Sequence, residues 1–394
     1  MRARRYTEAV KNRLRAGELG SLPVLISLAS IWIIFVSLNS RFLSPRNLSN
    51  LSIDIVGTGL IAVGVVFVLL LGEIDLSVGS VSGLSAAVFA VLNVHHGLAE
   101  APALLLAVAM GAAIGLFHGL VVAKVGVPAF VATLAGLLGW NGLMLYILGS
   151  SGTVNLDDKG LVASLTGYYF PYVAVAYGVA AVGTAGYFLV SLRDARRRRA
   201  AGVPGRSLRE IGVRTGGLAV IAFATALVLN QFQGLPLALL IFLVVLVVLD
   251  LLLRRTTYGR TVFALGGRLE AARRAGVGVD RVRVSVFMVS GTMAALGGLF
   301  LASRVTSASQ SSGGNNLLMN AIAAAVIGGT SLFGGRGTVW SALFGVLVIQ
   351  SIASGVALLG IRGAVQFMIT GGVLLIAVII DSLSRRAQKA HGRV

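Results

Sequence analysis

The sequence predicts an all-α polytopic membrane protein of about twelve transmembrane helices. Three observations carry that prediction. Of 394 residues, 56% are hydrophobic and only 12% charged, and the mean hydropathy is +0.90, well outside the range of water-soluble domains. Apolar runs recur at the roughly 17 to 25 residues that an α-helix needs to cross hydrocarbon. Finally, the basic residues behind the formal net charge of +19 bunch beside those runs, in Arg2 to Arg15, Arg193 to Arg214, Arg254 to Arg283 and Arg385 to Arg393. On a soluble chain such a charge would suggest nucleic acid. Gathered at the ends of apolar spans it marks the cytoplasmic side instead, so membrane lipid is an expected partner and nucleic acid is not. The lack of cysteine removes disulfides, thiol catalysis and cysteine metal sites.

The chain divides accordingly. Residues 1–21 form a basic cytoplasmic N-terminus. The first transmembrane block, 22–192, holds the candidate spans 22–38, 51–71, 76–92, 101–123, 127–148 and 168–192. A basic stretch before Leu22 to Leu38 has the outline of a secretory signal, but no small-x-small cleavage pattern precedes Ser40-Arg41-Phe42; the segment reads as an uncleaved first helix. Gly111, Gly115 and Gly119 line one face of the 101–123 span, where small residues let helix backbones approach. Residues 193–215 are a basic cytoplasmic loop, a topology anchor or a contact for anionic lipid. Two further helices occupy 216–253 (216–229 and 235–253), and 254–283 returns to the cytoplasm. The last block, 284–382, holds 284–301, 317–327, 339–359 and 366–380, the second of these being short for a span. Residues 383–394 are a cytoplasmic tail. An even count puts both termini on one side. With that side cytoplasmic, the basic clusters fall inside and Asp157-Asp158 outside, while Arg41, Arg46, Arg304 and Arg362 run against the rule.

The loop 254–283 contains a short polar helix candidate, Arg268-Leu-Glu-Ala-Ala-Arg-Arg-Ala-Gly276. Ala271, Ala272 and Ala275 favour helix, Gly276 can end it in a left-handed turn, and Asp280 could cap the next. The product is either a solvated turn or a protruding knob that a cytoplasmic partner could seat.

Acids in apolar surroundings are functional candidates by default. In Leu71-Gly-Glu-Ile-Asp-Leu-Ser-Val-Gly79, Gly72 breaks one helix, Asp75 could cap the next, and Ser77 would lie in its first turn, with Gly79 just beyond. A structural cap, a proton or ion site and a role in conformational coupling all remain open. Asp54 and Asp250 have no obvious cationic partner at mid-depth, which weakens ion-coupled transport. His118 reads as a packed, hydrogen-bonded histidine rather than a relay, and adjacent His95 and His96 form no metal site. Lys11, Lys124, Lys159 and Lys389 are followed by Asn, Val, Gly and Ala, so the chain has no P-loop, and nothing in it suggests an enzyme. Any ATP and magnesium would sit on a separate ATPase. Uncharged polar and aromatic groups suit a neutral, hydroxyl-rich solute; Phe130, Thr133, Trp140, Asn141, Asn320 and Gln366 are pathway candidates, with packing or interfacial roles as the plainer reading of each.

Five stretches resemble the monosaccharide ABC importer permeases of the ribose, galactose, arabinose and xylose group: Gly72 to Ser80, Val127-Pro-Ala-Phe-Val-Ala-Thr-Leu134, Thr257 to Gly267, Glu270-Ala-Ala with Gly276, and Ala321 to Gly337. The similarity covers Leu51 to Asp381. It implies a type II-like permease bundle working as a homodimer, with a cytoplasmic ATP-binding subunit and an extracytoplasmic sugar-binding protein. Glu270, Ala271, Ala272, Arg273 and Gly276 would form the coupling helix that docks into the ATPase. Ribose-type members have about ten spans; the basic segment and two extra spans here resemble the xylose permeases, which makes D-xylose the expected substrate, with ribose, galactose, inositol or a nucleoside as alternatives. A proton-coupled secondary transporter using Glu73, Asp75 or His118 is a competing class, and a scaffold protein a third.

Overall fold

In the computed structural model, the described residues are 22–267, 269–274 and 276–390. Among them, ten helices are long and apolar enough to cross a membrane, and two shorter apolar helices, Leu22–Leu38 and Asn315–Ile327, complete the set. The twelve match the twelve apolar runs one for one. In chain order they are α1 (Leu22–Leu38), α2 (Pro45–Leu70), α3 (Val78–Ala90, extended by a wide turn to His95), α4 (Glu100–Leu120, extended likewise to Val125), α5 (Ala129–Leu148), a short α6 (Leu161–Gly167), α7 (Val173–Ala200), α8 (Leu208–Asn230) and α9 (Leu237–Arg255), followed by two short helices, α10 (Thr257–Gly267) and α11 (Leu269–Arg274), and then α12 (Val279–Val305), α13 (Asn315–Ile327), α14 (Val339–Leu358) and α15 (Gly363–Ala390). Two small antiparallel pairs staple the loops: Thr153–Asn155 with Ser307–Ser309, and Tyr169–Phe170 with Leu235–Pro236.

The bundle is built on α2. Ser44 caps it by accepting from Asn47 N (3.3 Å), and Pro45 stands where a missing N–H costs nothing. From Ile53 to Leu70 nearly every side chain is buried, against α12, α13 and α14. Glycine sets how closely the helices approach. A Cβ on Gly297 of α12 would lie 2.6 Å from the Gly57 carbonyl oxygen of α2, and one on Gly119 of α4 would lie 2.7 Å from Val284 Cα. At Gly115 it would overlap the Phe287 carbonyl oxygen. The stripe Gly111, Gly115, Gly119 is thus the seat of α12, a packing device as its spacing implies.

Ion pairs close the helix ends. Arg304 binds Asp54 (2.8 Å), Arg254 binds Asp250 one turn away (2.7 Å), and Lys124 meets Asp280 (3.4 Å). Asp280 is therefore no cap: Gly278 occupies that position, and Asp280 sits in the first turn of α12. Within 193–215, only residues 201–207 leave the helix. Arginine favours helix, so α7 runs on to Ala200; Pro204 and two glycines break it, and Ser207 restarts α8 by accepting from Glu210 N (3.2 Å).

Candidate functional site

Between α2 and α3 the chain leaves the helix over residues 71–77 and runs into the bundle. Unpaired backbone at membrane depth is tolerated only where protein or water satisfies it; here Leu71, Gly72 and Glu73 turn their N–H groups back to the end of α2, and Ile74 O accepts from Thr133 Oγ1 (3.3 Å). Glu73 forms an ion pair with Arg283 near the start of α12 (2.8 Å). Asp75, only 4% exposed, reaches Ser290 Oγ farther along the same helix (2.8 Å). Seven residues of α12 separate the two contacts, about 10 Å of rise, so the linker descends along α12. Burial pushes the Glu73 carboxyl above its ordinary value even with Arg283 beside it, because desolvation of the charged form outweighs the pairing.

Asp75 is not the helix cap that its position suggests. Ser77, rather than lying in the first turn, immediately precedes α3, and no side chain caps that helix end. The carboxylate instead folds back on its own segment: Oδ1 accepts from Ser77 N (2.9 Å) and Ser77 Oγ (2.6 Å). An Asp two residues before its donor makes such a local turn readily. Gly79 packs against the loop before α13, where an added Cβ would lie 2.9 Å from the Gly313 carbonyl oxygen.

The Ser77 hydroxyl also meets His118 Nδ1 of α4 (3.2 Å), and His118 Nε2 meets Trp140 Nε1 of α5 (3.1 Å). The donors fix every direction in this chain. Indole N–H can only donate, so His118 Nε2 accepts; the ring proton then sits on Nδ1 and donates to Ser77 Oγ, leaving the serine hydrogen for Asp75. A neutral His118 thus links Trp140 to the carboxylate through one hydroxyl. Gly136 makes room for it, since a Cβ there would overlap His118 Nε2. His118 is the packed, hydrogen-bonded residue expected, but it has an acid at second hand, through Ser77.

The second half of the site lies where α10 and α11 meet the bundle. α11 buries Ala272 and exposes Glu270, Arg273 and Arg274. Gly276 ends it with φ +76°, and its N–H bonds Arg273 O (3.1 Å) while Val277 N bonds Ala272 O (3.2 Å), a left-handed stop that glycine makes without strain. Arg268 and Ala275 lie outside the described residues, as does the side chain of Ala271. Beneath α11 three helix breaks converge. Leu70 O accepts from Gly335 N (2.9 Å), and a Cβ on Gly266 would overlap that same carbonyl. A Cβ on Gly334 would stand 2.7 Å from Gly266 O and 2.9 Å from Gly72 N. The ends of α2, α10 and the loop after α13 therefore touch backbone to backbone. A hollow of about 130 Å³ beside them is lined by Gly72, Glu73, Leu265, Leu269 and Arg283.

The pathway candidates are spread over three helices. Thr133, fully buried, gives its hydroxyl to Ala129 O (2.8 Å). Phe130 is 54% exposed on the flank of α5, and Asn141 is half-buried on the same helix. Asn320 on α13 and Gln366 on α15 are half-buried too. α13 and α15 pack together, whereas α5 packs on α3 and α4. Only Trp140 joins the Asp75 chain. Sequence reasoning missed Arg283, Ser290, Gly266, Gly334 and Gly335; the signal was a buried acid, Glu73, with no cation near it in sequence. Among the described residues no three of His, Cys, Asp and Glu gather as a metal site.

Comparison with known proteins agrees with this architecture. Residues 47–378 match the family described as branched-chain amino acid transport system / permease component. The chain is 34% identical over 370 residues to the xylose transport system permease protein XylH of Escherichia coli, covering 93% of each. It is 34% identical over 382 residues to the corresponding Haemophilus influenzae protein, covering 95% of this chain and 99% of that one. The ribose import permease protein RbsC of Bacillus subtilis is 33% identical over 365 residues, 93% of this chain and 94% of the relative. No solved structure matches.

Proposed function

The chain belongs to the branched-chain amino acid transport system / permease component family, and from that premise we propose that it is the membrane-spanning subunit of an ATP-binding-cassette importer for a monosaccharide, D-xylose first. The observation that carries this reading is the near full-length similarity to two xylose permeases, joined to a short exposed helix seated on three helix breaks. It is a transport subunit and no enzyme; ATP is hydrolysed by a separate chain. Such a permease works with an ATPase and a substrate-binding protein. In this reading the ATPase, with its ATP and magnesium, docks on Glu270 to Gly276 on the cytoplasmic side. Both termini then lie in the cytoplasm of a prokaryote, the sugar-binding protein docks on the opposite face, and two copies enclose the pathway, with Phe130, Thr133, Trp140, Asn141, Asn320 and Gln366 as its candidate lining. ATP binding moves α11, and the backbone contacts at Gly266, Gly334 and Gly72 carry the movement to α2 and the linker holding Asp75. A ligand shifts this equilibrium only through a difference in affinity for its two states.

Ribose is the second reading, favoured by the comparable match to a ribose permease. The proton-coupled alternative draws no support from Asp75, whose direct partners among the described residues are hydroxyls and a backbone N–H. The test is ATPase stimulation in nanodiscs containing this chain with the candidate ATPase and sugar-binding protein, adding xylose, ribose and galactose in turn. Stimulation by xylose supports the reading in full, and stimulation by another sugar replaces the substrate. Failure to assemble with any ATPase overturns it.

A further inference from the structure

Helices α7 and α8 form a hairpin of which little is buried along its apolar length. Between them runs an apolar groove of about 420 Å³, lined by Thr184 and Phe188 on α7 and by Gly212, Thr215 and Gly216 on α8. Thr184 gives its hydroxyl to Ala180 O (2.8 Å), but the buried Thr215 hydroxyl oxygen has no partner among the described residues. Glycine leaves the groove open on the α8 side, since nothing lies within 4 Å of where a Cβ on Gly212 or Gly216 would be.

The groove leads to the arginine cluster. Eleven residues make about three helical turns, so Arg196 and Arg199 stand on the same stripe of α7 as Ala185 and Phe188. Arg209 stands about two turns before Gly216 on α8. All three arginines are exposed. The acids of this segment are already engaged: Asp194 binds Arg255 of α9 through both oxygens (2.6 and 2.8 Å), and Glu210 binds Arg214 (2.9 Å). Among the described residues Arg199 donates to one group, the backbone carbonyl of Arg206, at 3.4 Å. An apolar slot and, beyond its Phe188 and Gly212 end, exposed arginines with no acid paired to them among the described residues are complementary to one kind of molecule present at that depth.

We propose that the α7–α8 groove is a binding site for a single anionic diacyl phospholipid, its acyl chain lying along Phe188 and Gly216 and its headgroup phosphate on Arg196, Arg199 and Arg209. The charge supplies preference for an anionic headgroup, at about fivefold in affinity per arginine near the surface; the groove supplies the place. Neither depends on which sugar is carried.

The full-length protein, purified and delipidated in detergent, is titrated with phosphatidylglycerol or with phosphatidylcholine of the same acyl chains and read by native mass spectrometry. One phosphatidylglycerol is expected to be retained per chain, and phosphatidylcholine much less. The double variant Arg196→Gln/Arg199→Gln should lose about 25-fold in affinity. Arg197→Gln/Arg198→Gln, the same charge change on the other side of α7, should lose far less, and Gly216→Leu should lose the bound lipid with every arginine present. A monodisperse elution profile for each variant separates loss of the site from loss of the fold. Equal losses from the two arginine pairs, equal retention of the two lipids, or displacement by inorganic phosphate at matched concentration would overturn the site. So would Gly216→Leu changing only a monomer–dimer equilibrium, which would make the groove a contact between copies.

Discussion

Replacing Asp75 separates a structural role for the Asp75–Ser77–His118–Trp140 chain from a proton-handling one. The carboxylate accepts three hydrogen bonds, from Ser77 N, Ser77 Oγ and Ser290 Oγ, and bonds to a charged group contribute about 1.5 to 3 kcal/mol each. Their sum overstates the loss. Removing a buried charge offsets part of it, a helical serine such as Ser290 can turn to the preceding carbonyl, and hydrogen bonds between membrane helices average nearer 0.6 kcal/mol. For Asp75→Ala we expect a destabilisation of about 2 to 4 kcal/mol. Asp75→Asn keeps an oxygen for Ser77 and lets Ser290 Oγ accept from the new amide, so about 1 kcal/mol is expected. Unfolding in mixed micelles measures both variants, and sugar uptake with the assembled transporter reads function. The structural account requires Asp75→Asn to import with an unaltered pH profile. A stable Asp75→Asn protein that no longer transports would refute it, and one that transports with a shifted pH profile would assign the carboxylate a proton.

Three further predictions follow from the same geometry. Gly115→Val sets a side chain against the Phe287 carbonyl and should cost about 1 to 3 kcal/mol by overpacking, read as a lowered unfolding midpoint; wild-type stability would mean that α4 and α12 are not locked there. Glu73 holds a proton in the folded state at pH values where the unfolded chain, with its ordinary value of 4.5, has released it. Stability should therefore fall as pH rises from 4.5 through the raised folded value, and Glu73→Gln should remove that slope; an identical slope in the variant would contradict the burial argument. Glu270→Arg with Gly276→Val reverses an exposed charge and forces a branched residue to φ +76°. Association with the ATPase and uptake should be abolished while membrane insertion is unchanged, and undiminished co-purification would exclude α11 as the docking element.

How much of this was legible in the sequence follows from the distance over which each feature is encoded. The spans were, because hydropathy over about twenty residues is a local property, and so was the α4 stripe, whose three glycines sit one turn apart. Gly276 was legible as a helix stop for the same reason. The caps were harder. Asp280 and Asp75 have the right residue type, yet Lys124 draws the first into an ion pair and Ser77 and Ser290 engage the second. The Asp75 chain itself was out of reach, since Ser77 to His118 spans 41 positions and Asp75 to Ser290 spans 215. Glu73 and Arg283 met for a reason that the sequence leaves unstated: α12 happens to be the helix along which the linker descends.

The central place of α2 constrains how the protein is made. Residues 45–70 emerge from the ribosome early, but the helices that surround them, at 279–305, 315–327 and 339–358, are synthesised some two hundred residues later. Until then the glycine-notched faces at Gly57 and Gly64 have only lipid, or an insertion chaperone, to fill them. A segment so apolar waits in the bilayer without penalty, which a polar core helix could not do. Its partners therefore assemble around a helix already in place.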